Sequence, residues 1–430
     1  MTLVLVLSGA TIFFNSVLTG YVQSDDFRVE LEKETAKGLH FQTAHYAPIR
    51  RTGILTAASD RCDARGGRKA MRTLEAREIS AKFNPWGVFL RRWQLDELLA
   101  RSGEVEIQKY EPVPEPKPAK PWYAIFLPKR VYLKQFETQK ADVTWRFRGE
   151  RAGFFGTQLF ITPHGLDFNY QAKGGTLKMA LIPDLYLRET RLLITKKLIN
   201  LYLLDLAPDR DSKGLIHLQG RAGVGEDRGV DVASNFNGIP IRPWLPAGWK
   251  EYFSGEATGH VNWRGSDTKL ETSMGDGSCR LLDAKAEHLS FLEKLVAITG
   301  KKSLATLKLN DCSFHCAWRY PKFTFENIAI EENGKFRIEG ELSIDRGLLG
   351  GSLDLGVTRE YLDWLPRPEE IFTRERDGYM WTRVHLSGTI DDPEQDLSPR
   401  IIEIFKESPG AYLKLLFRQL GAWLKGVLPE

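Results

Sequence analysis

The residues best equipped for chemistry in this chain are Cys312, His315 and Cys316, in the run CSFHC. Thiolates and imidazoles are soft-metal ligands, and a structural zinc takes four of them. The flanking alternation reads as a strand, which puts Cys312 and Cys316 about 13 Å apart at about 3.3 Å per residue. That separation excludes a disulfide between the two. A zinc would need further ligands from elsewhere, and the sequence has no second Cys/His cluster. Cys62 and Cys279 complete a set of four cysteines, too few for a disulfide scaffold, and the spacing leaves their pairing open. His40 and His45 are five apart, near Glu30, Glu32 and Glu34. The helical two-histidine zinc site needs a spacing of four with a Glu between.

Other chemistries find no purchase. There is no G-x-S-x-G elbow and no G-x-x-x-x-G-K-[ST] loop. The run GRAGVG at 220–225 lies on or at the end of a strand, and no helix follows it as a dinucleotide site requires. Asp391-Asp392 and Glu369-Glu370 are adjacent acids in turn-like surroundings, not carboxylates facing each other across a substrate. The expectation is a protein without a catalytic centre, metal or cofactor.

Composition narrows the class. Over 430 residues, 60 Lys and Arg against 56 Asp and Glu leave +4, far from the basic excess of a nucleic-acid binder. Charged residues at 27% and hydrophobic ones at 42% suit a folded chain. Thirty-eight glycines and 11% aromatics favour many short strands and turns.

Residues 3–22 (LVLVLSGATIFFNSVLTGYV) carry no charge, and about 20 apolar residues span a bilayer. The run exceeds a signal peptide's apolar core and lacks its basic start, so a transmembrane anchor over 1–22 is expected. No Lys or Arg precedes it to set its orientation. An amphipathic helix follows at Phe27–Leu39, with Phe27, Leu31 and Ala36 on one face and Gly38 as its stop. A second helix is expected from Pro85 to Ala100. Residues 111–121 (EPVPEPKPAKP) hold five prolines in eleven positions, an extended spacer that serves as linker or surface loop.

From 122 to 396 strand follows strand. In DVTWRFR, Val143, Trp145 and Phe147 face one way. In KFRIEGELSI, Phe336, Ile338, Gly340, Leu342 and Ile344 oppose Lys335, Arg337, Glu339, Glu341 and Ser343. The same period of two places Val261, Trp263, Phe323, Phe325, Leu353 and Leu355 on apolar faces. Such alternation marks an antiparallel sheet, apolar on one side and wet on the other. Helical spacing returns at 287–300 and again from Pro399 to Leu428. The latter stretch carries Leu413, Phe417, Leu420, Trp423 and Leu424 on one stripe, with Lys414, Arg418 and Lys425 largely off it. That tail either docks on a membrane surface or plugs one end of the sheet.

The order of these pieces resembles the AsmA-like family of bacterial envelope proteins. The resemblance lies in the apolar run followed by FRVELEKETAKGLHFQTAHY, and in the stretch NGIPIRPWLPAGWKEYFSGEATGHVNWRG. Its most specific part is the end module, AEHLSFLEKLVAITGKKSLATLKLNDCSFHCAWRYPKFTFENIAIEENGKFRIEGELSIDRGLLGGSLDLGV through LSGTIDDPEQDLSP. It covers most of the chain. It implies a mainly β protein: a long, twisted antiparallel sheet curled into a groove, with an N-terminal transmembrane helix and a few short helices. The expected divisions are the anchor (1–22), an N-terminal α+β module (23–110), the proline-rich linker (111–121), the groove (122–396, with the end module at 285–396) and the C-terminal amphipathic helices (397–430). The resemblance further implies an inner-membrane, single-pass protein with its bulk in the periplasm. Its partners would be phospholipid, the inner membrane and an outer-membrane or envelope protein, with no nucleic acid. The groove would shield acyl chains for lipid transport or outer-membrane maintenance. The alternative is a scaffold for envelope assembly acting through protein contacts.

Overall fold

The structure is a computed structural model that describes residues 16, 19–84, 86, 93–108, 131–164, 167–195, 197–223, 229–245, 247–266, 269–287, 296, 301–302, 305–389 and 392–407. It is mainly β and divides into two compact units, Met1–Ser212 with Leu218–Arg228, and Lys213–His217 with Gly229–Glu430.

The first unit opens with helix α1 (Asp25–Leu39). Ser24 caps it, its hydroxyl accepting from the Phe27 N–H at 3.2 Å, and Asp25 and Asp26 sit at the positive end of the helix dipole. The expected stop at Gly38 moves two residues on. Gly38 stays helical, and His40 takes the left-handed conformation (φ 60°) that ends the helix. The strands are β1 (Thr43–Tyr46), β2 (Ile49–Arg51), β3 (Thr56–Arg65), β4 (Met71–Phe83), β5 (Trp93–Ile107), β6 (Val131–Leu133), β7 (Phe136–Phe147), β8 (Glu150–His164), β9 (Asp167–Lys173), β10 (Thr176–Lys178), β11 (Leu185–Ile194) and β12 (Leu198–Ala207). Helix α1 covers the start of this sheet. Phe27 packs with Ile49 and Ala57, and Ala36 with Phe41, Ala44 and Ala64.

From Trp93 on, the helix expected over 85–100 is replaced by β5; Trp86 is helical, and 85 and 87–92 lie outside the described residues. Leu95, Leu98 and Leu99 have helical spacing, but as a strand the segment pairs on both edges, antiparallel with β4 and parallel with β7. Pairing on two sides outweighs a short local preference. The parallel pairs β5–β6 and β5–β7 are also exceptions to the expected antiparallel sheet. A parallel neighbour requires a return connection of a dozen or more residues. Val131 lies beside Trp93, and the proline-rich stretch at 111–121 lies outside the described residues.

Strand β13 (Leu215–Gly223) contributes residues to both units. The second unit then runs β14 (Val230–Pro240), β15 (Phe253–Gly265), β16 (Ser273–Glu287), β17 (Thr306–Leu309), β18 (Asp311–Arg319), β19 (Lys322–Glu332), β20 (Phe336–Asp345), β21 (Leu348–Val357), β22 (Arg374–Arg376), β23 (Tyr379–Gly388) and β24 (Pro393–Gln395), with α2 (Leu397–Glu407) last. Neighbours from β14 to β24 pair antiparallel. Bulges interrupt β14, β16 and β19, each beside a residue of positive φ: Gly238 (62°), Asp283 (49°) and Asn327 (52°). Gly, Asp and Asn tolerate that conformation, and each bulge bends its strand and resets the alternation.

No helix among the described residues is long and apolar enough to cross a membrane. The anchor expected over 1–22 lies outside the described residues apart from 16 and 19–22. Most of the helical stretch at 287–300 and all of 408–430 lie outside them as well, including Leu413, Phe417, Leu420, Trp423 and Leu424.

Candidate functional site

In the second unit the register carries one apolar face across eight strands. Val232 pairs with Trp263, Trp263 with Gly275, Gly275 with Trp318, Trp318 with Phe323, Phe323 with Ile344 and Ile344 with Leu349. Directly paired residues share a face. One step along, Ser234, Val261, Gly277, Cys316, Phe325, Leu342, Gly351 and Leu386 form the next line. Nearer the other end come Cys312, Ile330, Ile338, Leu355 and Thr382, then Phe336, Val357 and Met380. Ten residues expected from alternation therefore lie together here: Val261, Trp263, Phe323, Phe325, Phe336, Ile338, Leu342, Ile344, Leu353 and Leu355. The other three, Val143, Trp145 and Phe147, share a face of the first unit with Val105 and Phe154.

All ten are half-buried, and none belongs to the buried core. They shield one another edge to edge but are not closed over. The described buried cluster that covers this face sits at one end of it. There Leu362, Leu365, Ile371, Phe372 and Ile404 pack over Leu355, Val357 and Met380. Leu397 and Ile401 of α2 join them, so the described start of the C-terminal tail acts as a plug on the face.

The floor of the face is paved with glycine under aromatic rings. A Cβ on Gly275 would fall 2.2 Å from the Trp318 ring, and one on Gly259 would fall 2.9 Å from the Phe236 ring. The Trp263 and Trp318 rings lie 5.4 Å apart, and Phe314 and Phe325 meet edge to face at 5.9 Å. The Trp318 indole N–H donates to Ser273 Oγ at 3.2 Å, which leaves the ring face free for apolar contact. A hollow of about 360 Å³ is lined by polar-side residues such as Asn262, Arg264, Asp276 and Thr324 and reaches Gly275 and Trp318, and one of about 540 Å³ lies against α1 and β1.

Alternation also decides the CSFHC run. Cys312 and Cys316 lie on the apolar face, whereas His315 pairs with Ser278 and Glu326 on the opposite one. The imidazole cannot join those thiols around one ion. Among the described residues no group of three His, Cys, Asp or Glu is placed to hold a metal. All four cysteines are free thiols. Burial pushes Cys62 and Cys312 up to about 11. At pH 8 a thiol of that pKa is about one part in a thousand thiolate, against about a quarter for an ordinary one. Cys62 and Cys312 should resist iodoacetamide at pH 8 in the native protein and react at once in urea, read by peptide mass spectrometry. Native labelling of both at the denatured rate would show that these strands open freely.

The opposite face is wet and laced with ion pairs. Glu339 accepts from Arg337 at 2.6 Å and Arg376 at 2.5 Å, and Asp354 from Arg374 at 2.8 Å and Arg383 at 3.0 Å. The hydrogen bond from Arg383, seconded by Arg374, holds the Asp354 carboxyl below its ordinary value against the opposing effect of burial. A depressed carboxyl stabilises the fold above the unfolded value of about 3.9, and that contribution is lost as the pH falls through the lower folded value. Asp354→Asn should therefore lower the urea midpoint at pH 7, with the gap to the parent narrowing on acidification below about pH 4. A gap independent of pH would remove the carboxylate as its cause.

The expected face left out Trp318 and Phe314, although they alternate with Cys312 and Cys316 along β18, and strict alternation misplaces Ile328. Ile328 lies three residues from Phe325 yet on the same face, because the bulge at Asn327 adds a residue. An Asn at positive φ is legible only as a bulge-tolerant residue type, not as a bulge. Searched against family models, curated proteins and solved structures, this chain matches none of them.

Proposed function

We propose that this protein shields phospholipid acyl chains on the apolar face of its second unit, as a membrane-anchored periplasmic protein acting in lipid transport or outer-membrane maintenance. The observation that carries the reading is the continuous, half-buried apolar face from β14 to β23, covered at one end by a small plug. Hydrocarbon laid on such a face leaves water with a gain of about 0.8 kcal/mol per methylene, and no specific ligand group is needed. The sequence resemblance to AsmA-like envelope proteins points the same way and supplies the expected anchor over 1–22 and the periplasmic location.

The test keeps the full chain in a bacterial membrane. p-Benzoylphenylalanine is placed at Leu342, on the face, or at Glu341, its outward neighbour, in cells fed radioactive phosphate. Illumination should attach labelled phospholipid at position 342 and not at 341. Protein adducts at 342 in place of phospholipid would favour the scaffold reading. Equal labelling at both positions, or none, would sink the groove.

A further inference from the structure

We infer that residues 241–245 and 247–250 form a docking loop that seats one end of the second unit on an anionic lipid bilayer. The loop joins β14 to β15 through two short 3-10 turns, Arg242–Trp244 and Ala247–Trp249. Trp244 is 40% exposed and Trp249 52% exposed. Indoles displayed to solvent are costly in water but favoured at the headgroup level of a membrane, where an apolar ring and a polar N–H are both satisfied. Arg242 and Lys250 are exposed beside them, and 241–250 contains no acid; Glu251 follows. Two cations with two exposed indoles complement a surface that is negative outside and apolar beneath.

The loop is built, not slack. Arg242 Nε donates to the Lys250 carbonyl at 2.7 Å and so ties the two turns together. The Ile241 N–H donates to the Gly255 carbonyl at 3.0 Å and the Glu287 N–H to the Tyr252 carbonyl at 2.9 Å, fixing the loop to β15 and β16. The Trp249 ring stacks on Phe253 at 5.5 Å. Phe253 packs with Phe336 on the Ala286–Leu307 cluster, so the loop stands where the apolar face ends.

Helix α2 runs toward the same end. The register runs from Phe253 to Ala286 to Leu307, and from Glu332 through Phe336 and Val357 to Met380. Along α2, Arg400 donates to Thr382 and Arg383, and Ile404 packs with the cluster that holds Met380. The helix therefore travels toward this end. A bilayer is the occupant that suits two exposed indoles flanked by two exposed cations.

Docking and lipid carriage are separable, because the loop would bind a bilayer whether or not the face holds an acyl chain. The full chain is reconstituted into phosphatidylcholine vesicles and mixed with fluorescent acceptor vesicles, either pure phosphatidylcholine or containing phosphatidylglycerol. Co-flotation should capture the anionic acceptors preferentially. Trp244→Ala with Lys250→Glu leaves the Arg242 tie and the Trp249–Phe253 stack in place. It should cut that capture at least about twentyfold, since one cation at an anionic surface is worth about fivefold and reversing its sign squares that factor. Photolabelling at Leu342 should be unchanged in this variant. Undiminished capture by a variant with parental circular dichroism, equal capture of neutral acceptors, or no capture by the parent would overturn the docking loop. Loss of the Leu342 label with capture intact would instead overturn the groove.

Discussion

Ile338→Asp should leave the protein folded while abolishing phospholipid labelling at Leu342. Ile338 sits mid-face, paired with Ile330 on one side and Leu355 on the other. If that face were the inside of a closed sandwich, an unpaired carboxylate there would cost several kcal/mol, enough to unfold a typical domain. On a face open to water the carboxylate stays hydrated when no lipid is present, and the cost to folding should stay near about 1 kcal/mol. The same charge beneath an acyl chain must be dehydrated or must hold the chain off, so the loss falls on binding. Urea unfolding and the photolabel read the two effects separately. A variant that fails to fold would mean that the face is a core, and the acyl-chain reading would fall with it.

Much of this face could be read from residue types. The run from Phe336 to Ile344 alternates without a slip, and its register with β19 and β21 follows that alternation. Where reading failed, the cause was pairing or a bulge. Leu95, Leu98 and Leu99 satisfy a helix and a strand equally well, and only the neighbours β4 and β7 decide for the strand. Those neighbours lie on either side of the proline-rich stretch, which local pattern treats as a break. Alternation also made nothing of Gly275 and Gly277, which lie within β16 under Trp318 and Val261, where any side chain would collide. The docking loop was half legible. The run RPWLPAGWK shows its prolines and indoles in the sequence, but only the fold shows that Trp249 stacks at the end of the apolar face.

The plug gives the opposite expectation, and the largest loss of stability. Phe372 is 4% exposed in a buried cluster with Leu362, Leu365, Ile371 and Ile404. Phe372→Ala removes a whole ring from a packed site, at a cost of about 3–5 kcal/mol. Because the cluster lies over Leu355, Val357 and Met380, the loss should be felt first in β21 and β23. Native-state hydrogen exchange should show their amides losing about a hundredfold or more of protection, while α1 and β3 in the first unit keep theirs. Ile338→Ala removes side chain from a face that is only partly covered, and should cost about 1 kcal/mol. The ratio of the two truncations separates a sealed core from an open surface within one sheet. Equal costs would mean that the face is as fully buried in solution as the plug.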